Sequence, residues 1–327
     1  MSRYIETTTT AFPIAGSFTI SRGSKTQADV VTCVIGEGAH RGHGECVPYK
    51  RYGETLESVI AEIEAMSAAI ASGLSRDELL TAMKPGAARN AIDCALWDLE
   101  AKASGIPVAV RIGTPDPQPL TTAYTISLGD PETMKAQAAT YAHRDLLKVK
   151  VGTGDDISRI RAVRAGAPES RIILDANEGW SDETIVRHLE AAAEAGIDLI
   201  EQPLPAGKDA ILASIDRKVA ICADESVHDR QGLASLRDRY DAINIKLDKT
   251  GGLTEALLVK TEAQRLGFGI MVGCMVGSSL AMAPAVLLAQ GVDFVDLDGP
   301  LLLARDREPG LVYRDSLVFP PENALWG

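Results

Sequence analysis

The sequence LLKVKVG at residues 146–152 looks like a buried β-strand that nevertheless carries two lysines. Side chains alternate between the two faces of a strand, so Lys148 and Lys150 point to one side while the intervening apolar residues point to the other. Taken alone, the stretch favours an edge strand with one wet face. The residues that surround it favour a different interpretation.

Short β-branched runs alternate with helical stretches from residue 121 onward. Eight strands are predicted, each followed by helix-like sequence, at 121–127, 146–151, 171–177, 197–203, 219–225, 242–248, 268–274 and 292–298. Alternating β and α elements imply a parallel sheet with right-handed crossovers. The α/β fold class is therefore predicted, as a (β/α)8-type barrel. A doubly wound open sheet is the alternative, but no Gly-rich phosphate fingerprint follows the first strand.

The residues on either side of the barrel predict a smaller companion domain. Residues 1–118 read as an N-terminal α+β capping domain, and the Pro-rich segment TPDPQPL at 114–120 looks like a linker. The catalytic barrel domain is then expected at 119–304. The tail at 305–327 is expected to return to the capping domain and complete it.

Two hairpin strands and two helices are predicted in the capping domain. The strands are expected at 16–22 and 28–37 around a GSKTQ turn, and the helices at about 55–72 and 87–104. Asp93 and Asp98 lie in the second helix, where solvated or capping charges are the expected interpretation.

Composition limits the classes of function. The chain has 327 residues, of which 46% are hydrophobic and 24% charged, which is typical of a globular protein. Its net charge of −12 argues against nucleic-acid and membrane partners. Five dispersed cysteines without a C-x-x-C pair indicate neither disulfides nor zinc, so we expect a cytoplasmic protein.

Charged residues recur at the C-terminal ends of the predicted barrel strands. They are Lys150, Asp175, Glu201, Asp224 and Lys246 on the second to sixth strands, with Asp296 and Asp298 on the eighth. In barrel enzymes this end of the sheet carries the chemistry. The sequence therefore predicts a ring of charged groups at the barrel mouth.

Three carboxylates on adjacent strands predict a cation site. An aspartate alone would more often cap the following helix, but Asp175, Glu201 and Asp224 pointed at one spot would repel each other. A hard divalent cation relieves that repulsion, and carboxylate oxygens suit Mg²⁺. None of the five histidines joins the ring, which argues against zinc.

The lysines of the ring predict proton transfer. Lys148 and Lys150 flank the carboxylates on one side and Lys246 lies across the barrel. Neighbouring cations and desolvation are expected to lower the pKa of a lysine toward that of a general base. Together with a cation that stabilises negative charge, the set predicts abstraction of a proton α to a carboxylate, giving a planar enediolate. A lysine on each face lets the proton leave one side and return on the other.

Several motifs in order resemble the enolase superfamily. They are KVK at 148–150, LDANEGW at 174–180, IEQPL at 200–204, CADES at 222–226 and NIKLDKTGG at 244–252. The K-x-K type resembles the muconate-lactonizing subgroup, and the resemblance covers essentially the whole chain. Within the subgroup, VGCMVGSS at 272–279 and DLDGP at 296–300 are similar to the dipeptide epimerases, most of all those acting on L-Ala-D/L-Glu.

The resemblance implies a role for each candidate residue. Mg²⁺ would be bound by Asp175, Glu201 and Asp224. The acid/base pair would be Lys150 and Lys246, supported by Lys148. The substrate α-ammonium would be bound by Asp296 and Asp298 and the substrate side-chain carboxylate by Arg22, while Arg51 and Tyr52 would close over the substrate. The implied activity is epimerisation at the α-carbon of the C-terminal residue of a small dipeptide, in murein peptide metabolism. A homo-oligomer is compatible with the sequence.

Other functions stay open at this point. The same chemistry could act on another dipeptide, or the site could belong to a cycloisomerase or o-succinylbenzoate synthase of the same superfamily. Asp296 and Asp298 argue against the latter two, although they could also form a second metal site or a wet strand end. A Schiff-base aldolase would not need three carboxylates, and a barrel that only binds peptide would not need the lysines.

Overall fold

The chain begins with a three-stranded antiparallel sheet in this computed structural model, which describes residues 2–153 and 156–327. Its strands are β1 (Tyr4–Ile20), β2 (Gly23–Glu37) and β3 (His40–Cys46). The predicted hairpin exists, but the prediction that GSKTQ is its turn is wrong, because that segment opens β2. Ile20 pairs with Gly23, so the turn is the two-residue loop at 21–22, the commonest length of hairpin connection.

Helices pack against this sheet. They are α1 (Leu56–Glu64), α2 (Ser67–Ala71), α3 (Arg76–Ala82), α4 (Ala87–Ser104) and α5 (Val108–Arg111). The helix expected at 87–104 is confirmed, whereas the one expected at 55–72 is divided into α1 and α2. A Cβ on Gly44 of β3 would lie 2.1 Å from the carbonyl oxygen of Ala91. Glycine thus lets β3 lie directly on α4.

The main sheet has eight parallel strands arranged in chain order. After the short β4 (Leu120–Thr121) come β5 (Tyr124–Ile126), β6 (Leu146–Lys150), β7 (Arg171–Asp175), β8 (Leu199–Glu201), β9 (Ile221–Ala223), β10 (Ala242–Ile245), β11 (Gly269–Gly273) and β12 (Phe294–Asp296). The amide of Ala123 donates to the carbonyl of Val295 at 2.8 Å and brings the two sheet edges together. The barrel prediction is confirmed, and sequential strand order excludes the doubly wound sheet.

Helical segments surround the barrel. They are α6 (Pro131–Thr140), α7 (Asp156–Gly166), α8 (Ile185–Glu194), α9 (Leu247–Thr250), α10 (Leu253–Leu266), α11 (Ser279–Leu288) and α12 (Gly299–Leu302). After β8 and β9 the expected helices are 3-10 turns, at Ala210–Ala213 and Leu233–Leu236. Pro203 and Pro205 follow β8 and disfavour an α-helix there. A helix with the length and hydropathy of a membrane span is absent from the described residues.

The barrel interior has an apolar floor below a polar mouth. The floor consists of Ala123, Leu146, Ile173, Leu199, Cys222, Ala242, Met271 and Phe294, one from each repeat. Lys148 and Lys150 share the face of Leu146 and therefore point into the barrel. All five residues of β6 are buried between β5 and β7, so the edge-strand interpretation is wrong.

The C-terminal tail crosses from the barrel to α4. Its strands β13 (Tyr313–Arg314) and β14 (Leu317–Val318) extend β4 into a small sheet. Beyond them the Trp326 indole donates to the carbonyl of Cys94 at 3.1 Å. These contacts attach the tail to α4, and the domain limits at 118/119 and 304/305 stay a prediction.

Asp93 and Asp98 of α4 are buried rather than solvated. Asp93 accepts the amide of Thr254 at 2.9 Å, and Asp98 accepts the amide of Gly327 at 2.8 Å. Each carboxylate therefore satisfies a main-chain donor of a distant segment. Their role in the structure is to join α4 to α10 and to the tail.

Candidate active site

Three buried carboxylates lie side by side at the barrel mouth. Asp175 ends β7 and is paired in register with Glu201 at the end of β8, while Asp224 follows β9. They are at most 3% exposed. In the part of the chain that the structure describes, no three carboxylate, histidine or cysteine groups converge closely enough to enclose an ion by themselves. Lysine ammonium groups stand between these carboxylates instead.

Lys148 forms the centre of this cluster. Its Nζ lies 3.0 Å from Asp175, 2.7 Å from Glu201 and 2.7 Å from Asp296. Three carboxylates from three strands thus share one ammonium that is 2% exposed. Lys148 connects the predicted metal ligands to the eighth strand of the barrel.

Lys150 and Lys246 approach the carboxylates from two sides. Lys150 Nζ lies 2.6 Å from Asp175 Oδ2, and Lys246 Nζ lies 2.7 Å from Asp224 Oδ2. The first lysine ends β6 and the second directly follows β10. The structure therefore brings the predicted acid/base pair to opposite parts of one carboxylate cluster.

The expected fall in lysine pKa is wrong for this arrangement. Burial lowers the pKa of Lys148 and of Lys246, but contacts with carboxylates outweigh burial and leave both pKa values well above the ordinary one. For Lys246 the largest of these contributions comes from Asp224 and the next from Glu201. A neutral amine at Lys246 requires that this negative charge be offset.

The lysines do not compensate all carboxylates of the site equally. Burial raises the pKa of Glu201 to about 7, and the charge of Asp175 adds to the rise. Burial and the charge of Asp224 similarly raise the pKa of Glu225 to about 7. By contrast Lys246 and Lys249 hold the pKa of Asp224 far below its usual range despite burial. Excess buried negative charge is the condition in which a cation binds.

The available donor atoms suit a hard divalent cation. Glu201 Oε2 lies 2.7 Å from Lys148 Nζ without forming a hydrogen bond. Asn177 Oδ1 and Glu225 Oε2 are also buried and, among residues 2–153 and 156–327, lack a hydrogen-bond partner. All of these donors are oxygens, which is the ligand chemistry of Mg²⁺. The residues present therefore fit Mg²⁺ held by Asp175, Glu201 and Asp224.

A cavity of about 900 Å³ opens above the cluster, between the first sheet with its loops and the barrel. Its lining includes Arg22, Arg51, Tyr52, Lys150, Asp224 and Lys246. The cavity thus brings the two candidate bases, one candidate metal ligand and three candidate substrate-binding residues to one space. Tyr52 packs edge-on against His228, with ring centroids 4.7 Å apart, and forms part of the wall.

Arg22 extends from the β1–β2 turn to the barrel. Its Nη1 donates to the carbonyl of Asn177 at 2.8 Å, and its Nη2 donates to Glu225 Oε1 at 2.9 Å and to the hydroxyl of Tyr49 at 3.0 Å. Burial lowers the pKa of Arg22, but Tyr49 and Glu225 more than offset this effect. A substrate carboxylate that binds Arg22 must compete with these groups.

Glu178 holds both arginines of the two loops. Arg51 donates to it with Nε at 2.9 Å and Nη2 at 3.0 Å, and Arg22 Nη1 lies 3.2 Å away. Glu178 also accepts the amide of Ala206 at 2.9 Å. By binding both arginines, Glu178 fixes the loops that carry Arg22 and Arg51 over the barrel mouth.

The two aspartates of the eighth strand differ in their surroundings. Asp296 Oδ2 contacts Lys148, whereas its Oδ1 is buried and has no hydrogen-bond partner within the described part of the chain. Asp298 Oδ2 accepts the amide of Thr125 at 2.7 Å. Burial and the neighbouring Asp296 raise the pKa of Asp298 to about 7. Lys148 contacts only Asp296 Oδ2, so Asp296 Oδ1 and Asp298 can accept hydrogen bonds from a second cation.

Sequence reasoning missed several residues of the site. Asn244 and Lys249, in the NIKLDKTGG motif, contact Glu201 and Asp224, and Glu178 binds the two arginines. Beside the predicted ligands, Asn177, Glu178 and Gln202 have positive φ angles of 45°, 67° and 33°. Left-handed backbone at non-glycine residues is concentrated at functional sites. The available signal was that all of these residues lie in the quoted motifs.

A barrel with this ring of carboxylates and lysines under a capping sheet defines an enzyme of the enolase type. The chain belongs to the mandelate racemase and muconate lactonizing enzyme family. Residues 4–113 match "Mandelate racemase / muconate lactonizing enzyme, N-terminal domain", and residues 133–316 match "Enolase C-terminal domain-like".

Two relatives of known activity are similar over nearly their whole length. The L-Ala-D/L-Glu epimerase of Escherichia coli (strain K12) is 45% identical over 305 residues, which is 93% of this chain and 95% of that protein. The N-acetyl-D-glutamate racemase of Pseudoalteromonas sp. is 42% identical over 300 residues, or 91% of this chain and 95% of that protein.

Solved structures agree with the family. An enolase family member from Agrobacterium tumefaciens, with bound sodium and L-Ala-L-Glu, has a TM-score of 0.99 and 67% identity, covering 99% of this chain and 100% of that chain. The dipeptide epimerase of Enterococcus faecalis V583, complexed with Mg and L-Leu-L-Tyr, has a TM-score of 0.89 and 29% identity, covering 98% of each chain.

Proposed function

We propose that this protein is a Mg²⁺-dependent dipeptide epimerase, an isomerase that acts on L-Ala-D/L-Glu by 1,1-proton transfer. The observation that carries the proposal is the placement of Lys150 and Lys246 on opposite parts of one buried carboxylate cluster. A single base would suffice for elimination, but inversion of a carbon centre needs a base on one face and a proton donor on the opposite face. The similar E. coli and A. tumefaciens proteins support this substrate class.

The two lysines transfer two different protons, one from the substrate and one to it. One lysine, as a neutral amine, removes the α-proton, and the other, as an ammonium, returns a proton to the opposite face. When bound, Mg²⁺ supplies positive charge that stabilises the substrate carboxylate as the α-proton leaves. Lys148 adds a fixed positive charge at the base of the cluster. The capping loops exclude water from the cavity while both lysines act.

Two further sets of residues select a dipeptide with an acidic C-terminal residue. Asp296 and Asp298 provide two buried carboxylates, which suit the free α-ammonium of the N-terminal residue. Arg22 presents a guanidinium fork suited to a side-chain carboxylate. Arg51 and Tyr52 lie in the second loop and close the cavity over the substrate.

Three alternative substrates follow from the comparisons and from the site. Another dipeptide would use the same lysines, with specificity changed at the cavity wall. An N-acylated glutamate, the substrate type of the Pseudoalteromonas relative, has no ammonium for Asp296 and Asp298. The substrates of cycloisomerases and o-succinylbenzoate synthases lack one as well. Asp296 Oδ1 lacks a hydrogen-bond partner among residues 2–153 and 156–327 and therefore favours a dipeptide.

The cellular setting follows from the substrate and the thiols. L-Ala-D-Glu is a fragment of murein peptide, so we place the reaction in murein peptide metabolism. All five cysteines carry free thiols, four of them buried, which suits a reducing cytoplasm. The partner is a small dipeptide, and a homo-oligomer is compatible with the proposal.

The test is proton NMR of L-Ala-L-Glu incubated with the protein and Mg²⁺ in D₂O. Loss of the glutamate α-proton signal together with appearance of the L,D-diastereomer is the expected result. Exchange with other dipeptides only would change the proposed substrate and keep the reaction. The absence of exchange across a dipeptide library, with metal bound, would contradict the proposal.

A further inference from the structure

The segment after the sixth barrel strand carries a second buried lysine. Lys249 lies one helical turn after Lys246, in the four-residue helix α9, and its side chain is 0% exposed. Lys246 lines the cavity, whereas Lys249 is fully buried beside Asp224. The two lysines bracket the same carboxylate: Lys246 contacts Oδ2 at 2.7 Å and Lys249 contacts Oδ1 at 2.5 Å.

The Lys249 ammonium donates all of its hydrogen bonds to acceptors within the protein. Besides Asp224 Oδ1, its Nζ donates to the carbonyl of Asp224 at 2.5 Å and to the carbonyl of Asn244 at 3.0 Å. An ammonium has three hydrogens to donate, and these three contacts use them all. Two of the acceptors are main-chain oxygens whose positions the barrel fixes. These contacts of Lys249 hold Asp224 in place.

Asn244 performs the equivalent task on the neighbouring carboxylate. It lies on β10, is buried, and donates from Nδ2 to Glu201 Oε1 at 2.7 Å. Gly273 on the adjacent strand leaves room for it, because a Cβ there would lie 2.7 Å from Asn244 Oδ1. One short segment, residues 244–249, thus orients two of the three predicted ligands and also supplies Lys246.

We propose that Lys249 and Asn244 are positioning residues for the cation site, which fix the carboxylates of Asp224 and Glu201 in the orientation that binds a divalent ion. This inference rests on the proposed function. Groups that orient metal ligands typically change metal affinity 10- to 100-fold when removed. Positioning differs from a general contribution to stability because it changes ion binding more than it changes folding.

The experiment measures Mn²⁺ binding to the full-length protein without substrate, by the EPR signal of the free ion. Mn²⁺ prefers the same oxygen ligands as Mg²⁺. Lys249→Met and Asn244→Ala are each expected to weaken Mn²⁺ binding about 10- to 100-fold. Lys249→Arg keeps a cationic donor and is expected to recover part of the affinity.

Lys260→Met is the control, because it removes a half-buried lysine that also donates to main-chain carbonyls but lies away from the site. Lys260 donates to the carbonyls of Leu288 at 2.9 Å and Gln290 at 2.7 Å, and neither of these residues belongs to the site. The Mn²⁺ affinity of the Lys260→Met variant is expected to stay within twofold of that of the unchanged protein. Melting in EDTA, recorded for every variant, separates loss of folding from loss of ion binding.

Two results would overturn the inference. If Lys249→Met folds and binds Mn²⁺ within twofold of the unchanged protein, Lys249 does not position Asp224. If Lys249→Met does not fold, Asn244→Ala decides, because unchanged Mn²⁺ binding by that variant would show that Asn244 does not position Glu201 and would overturn the role proposed for residues 244–249. If the unchanged protein binds no Mn²⁺, the proposed function is contradicted instead. Failure of the inference and failure of the proposed function are therefore distinguishable.

Discussion

Lys150 and Lys246 pair with the two outer members of one carboxylate trio: Lys150 with Asp175 at 2.6 Å and Lys246 with Asp224 at 2.7 Å. Three strands lie between β6, which Lys150 ends, and β10, which Lys246 follows. In a barrel of eight strands this separation places the two ammonium groups across the mouth from each other. The proposed two-sided proton transfer depends on this relationship.

Asp296 and Asp298 are expected to bind the substrate ammonium. Asp296→Asn and Asp298→Asn should each lower kcat/KM for L-Ala-L-Glu about 10- to 100-fold, because a hydrogen bond to a charged group contributes about 1.5–3 kcal/mol. The unchanged protein should discriminate against N-acetyl-L-Ala-L-Glu, and the variants should discriminate less. Asp293→Asn is the control, since Asp293 accepts the amide of Ile270 at the other end of the barrel. If both variants discriminate against N-acetyl-L-Ala-L-Glu as strongly as the unchanged protein, Asp296 and Asp298 do not bind the substrate ammonium.

Arg22 is expected to set the preference for an acidic C-terminal residue. Arg22→Met should raise KM for L-Ala-L-Glu about tenfold or more, because an arginine–carboxylate fork is lost. Activity on L-Ala-L-Leu should fall less than activity on L-Ala-L-Glu. Steady-state kinetics on both dipeptides measure the ratio, with Arg187→Met, an exposed arginine of α8, as the control. Equal losses on both substrates would show that Arg22 only fixes the loop to Asn177 and Glu225.

The buried Asp248 is expected to make stability depend on pH. Burial raises its pKa to about 7, although hydrogen bonds from Val47 and Asn90 oppose the rise. Because the folded pKa lies above the unfolded value of about 3.9, the stabilisation from proton binding is complete below that value and is lost as the pH rises through 7.

Asp248→Asn removes this proton linkage. Relative to the unchanged protein, the variant should gain unfolding free energy between pH 5 and pH 7, on the order of 1.4 kcal/mol per pH unit at most. Urea unfolding in EDTA at several pH values measures the difference. A difference that does not vary with pH would show that Asp248 titrates at its ordinary value.

The close approach of β3 to α4 is expected to require glycine. Gly44→Ala places a Cβ 2.1 Å from the carbonyl oxygen of Ala91, which cannot move without displacing the helix. The expected loss of unfolding free energy is about 1–3 kcal/mol or more. Gly129→Ala is the control, because the nearest side-chain atom there, on Met134, is 3.7 Å away. Equal melting of both variants would contradict this interpretation of β3.

The barrel could be predicted from the sequence because local pattern and tertiary structure agree there. Each repeat carries a short apolar run, and the charged residues at strand ends recur once per repeat. Strand β3, in contrast, has the sequence HRGHGEC, which is poor in β-branched residues. It forms because Gly42 and Gly44 allow it to lie against α4, a contact between distant segments.

The electrostatics of the site could not be predicted from residue type alone. A lysine among other lysines was expected to have a lowered pKa, but the distances show that carboxylates dominate the surroundings of Lys148 and Lys246. Glu178 and Lys249 were missed for a related reason. Their partners, Arg51 and Asp224, are distant in sequence, so only folding reveals the contacts.

The most direct test of the central claim uses Lys150→Ala and Lys246→Ala with L-Ala-L-Glu and L-Ala-D-Glu in D₂O, followed by proton NMR. Neither variant should epimerise either substrate. Each should still exchange the α-proton of one diastereomer, and the two variants should differ in which one, because each keeps the lysine on one face. Normal epimerisation by both variants, or exchange of the same diastereomer by both, would contradict the two-lysine mechanism.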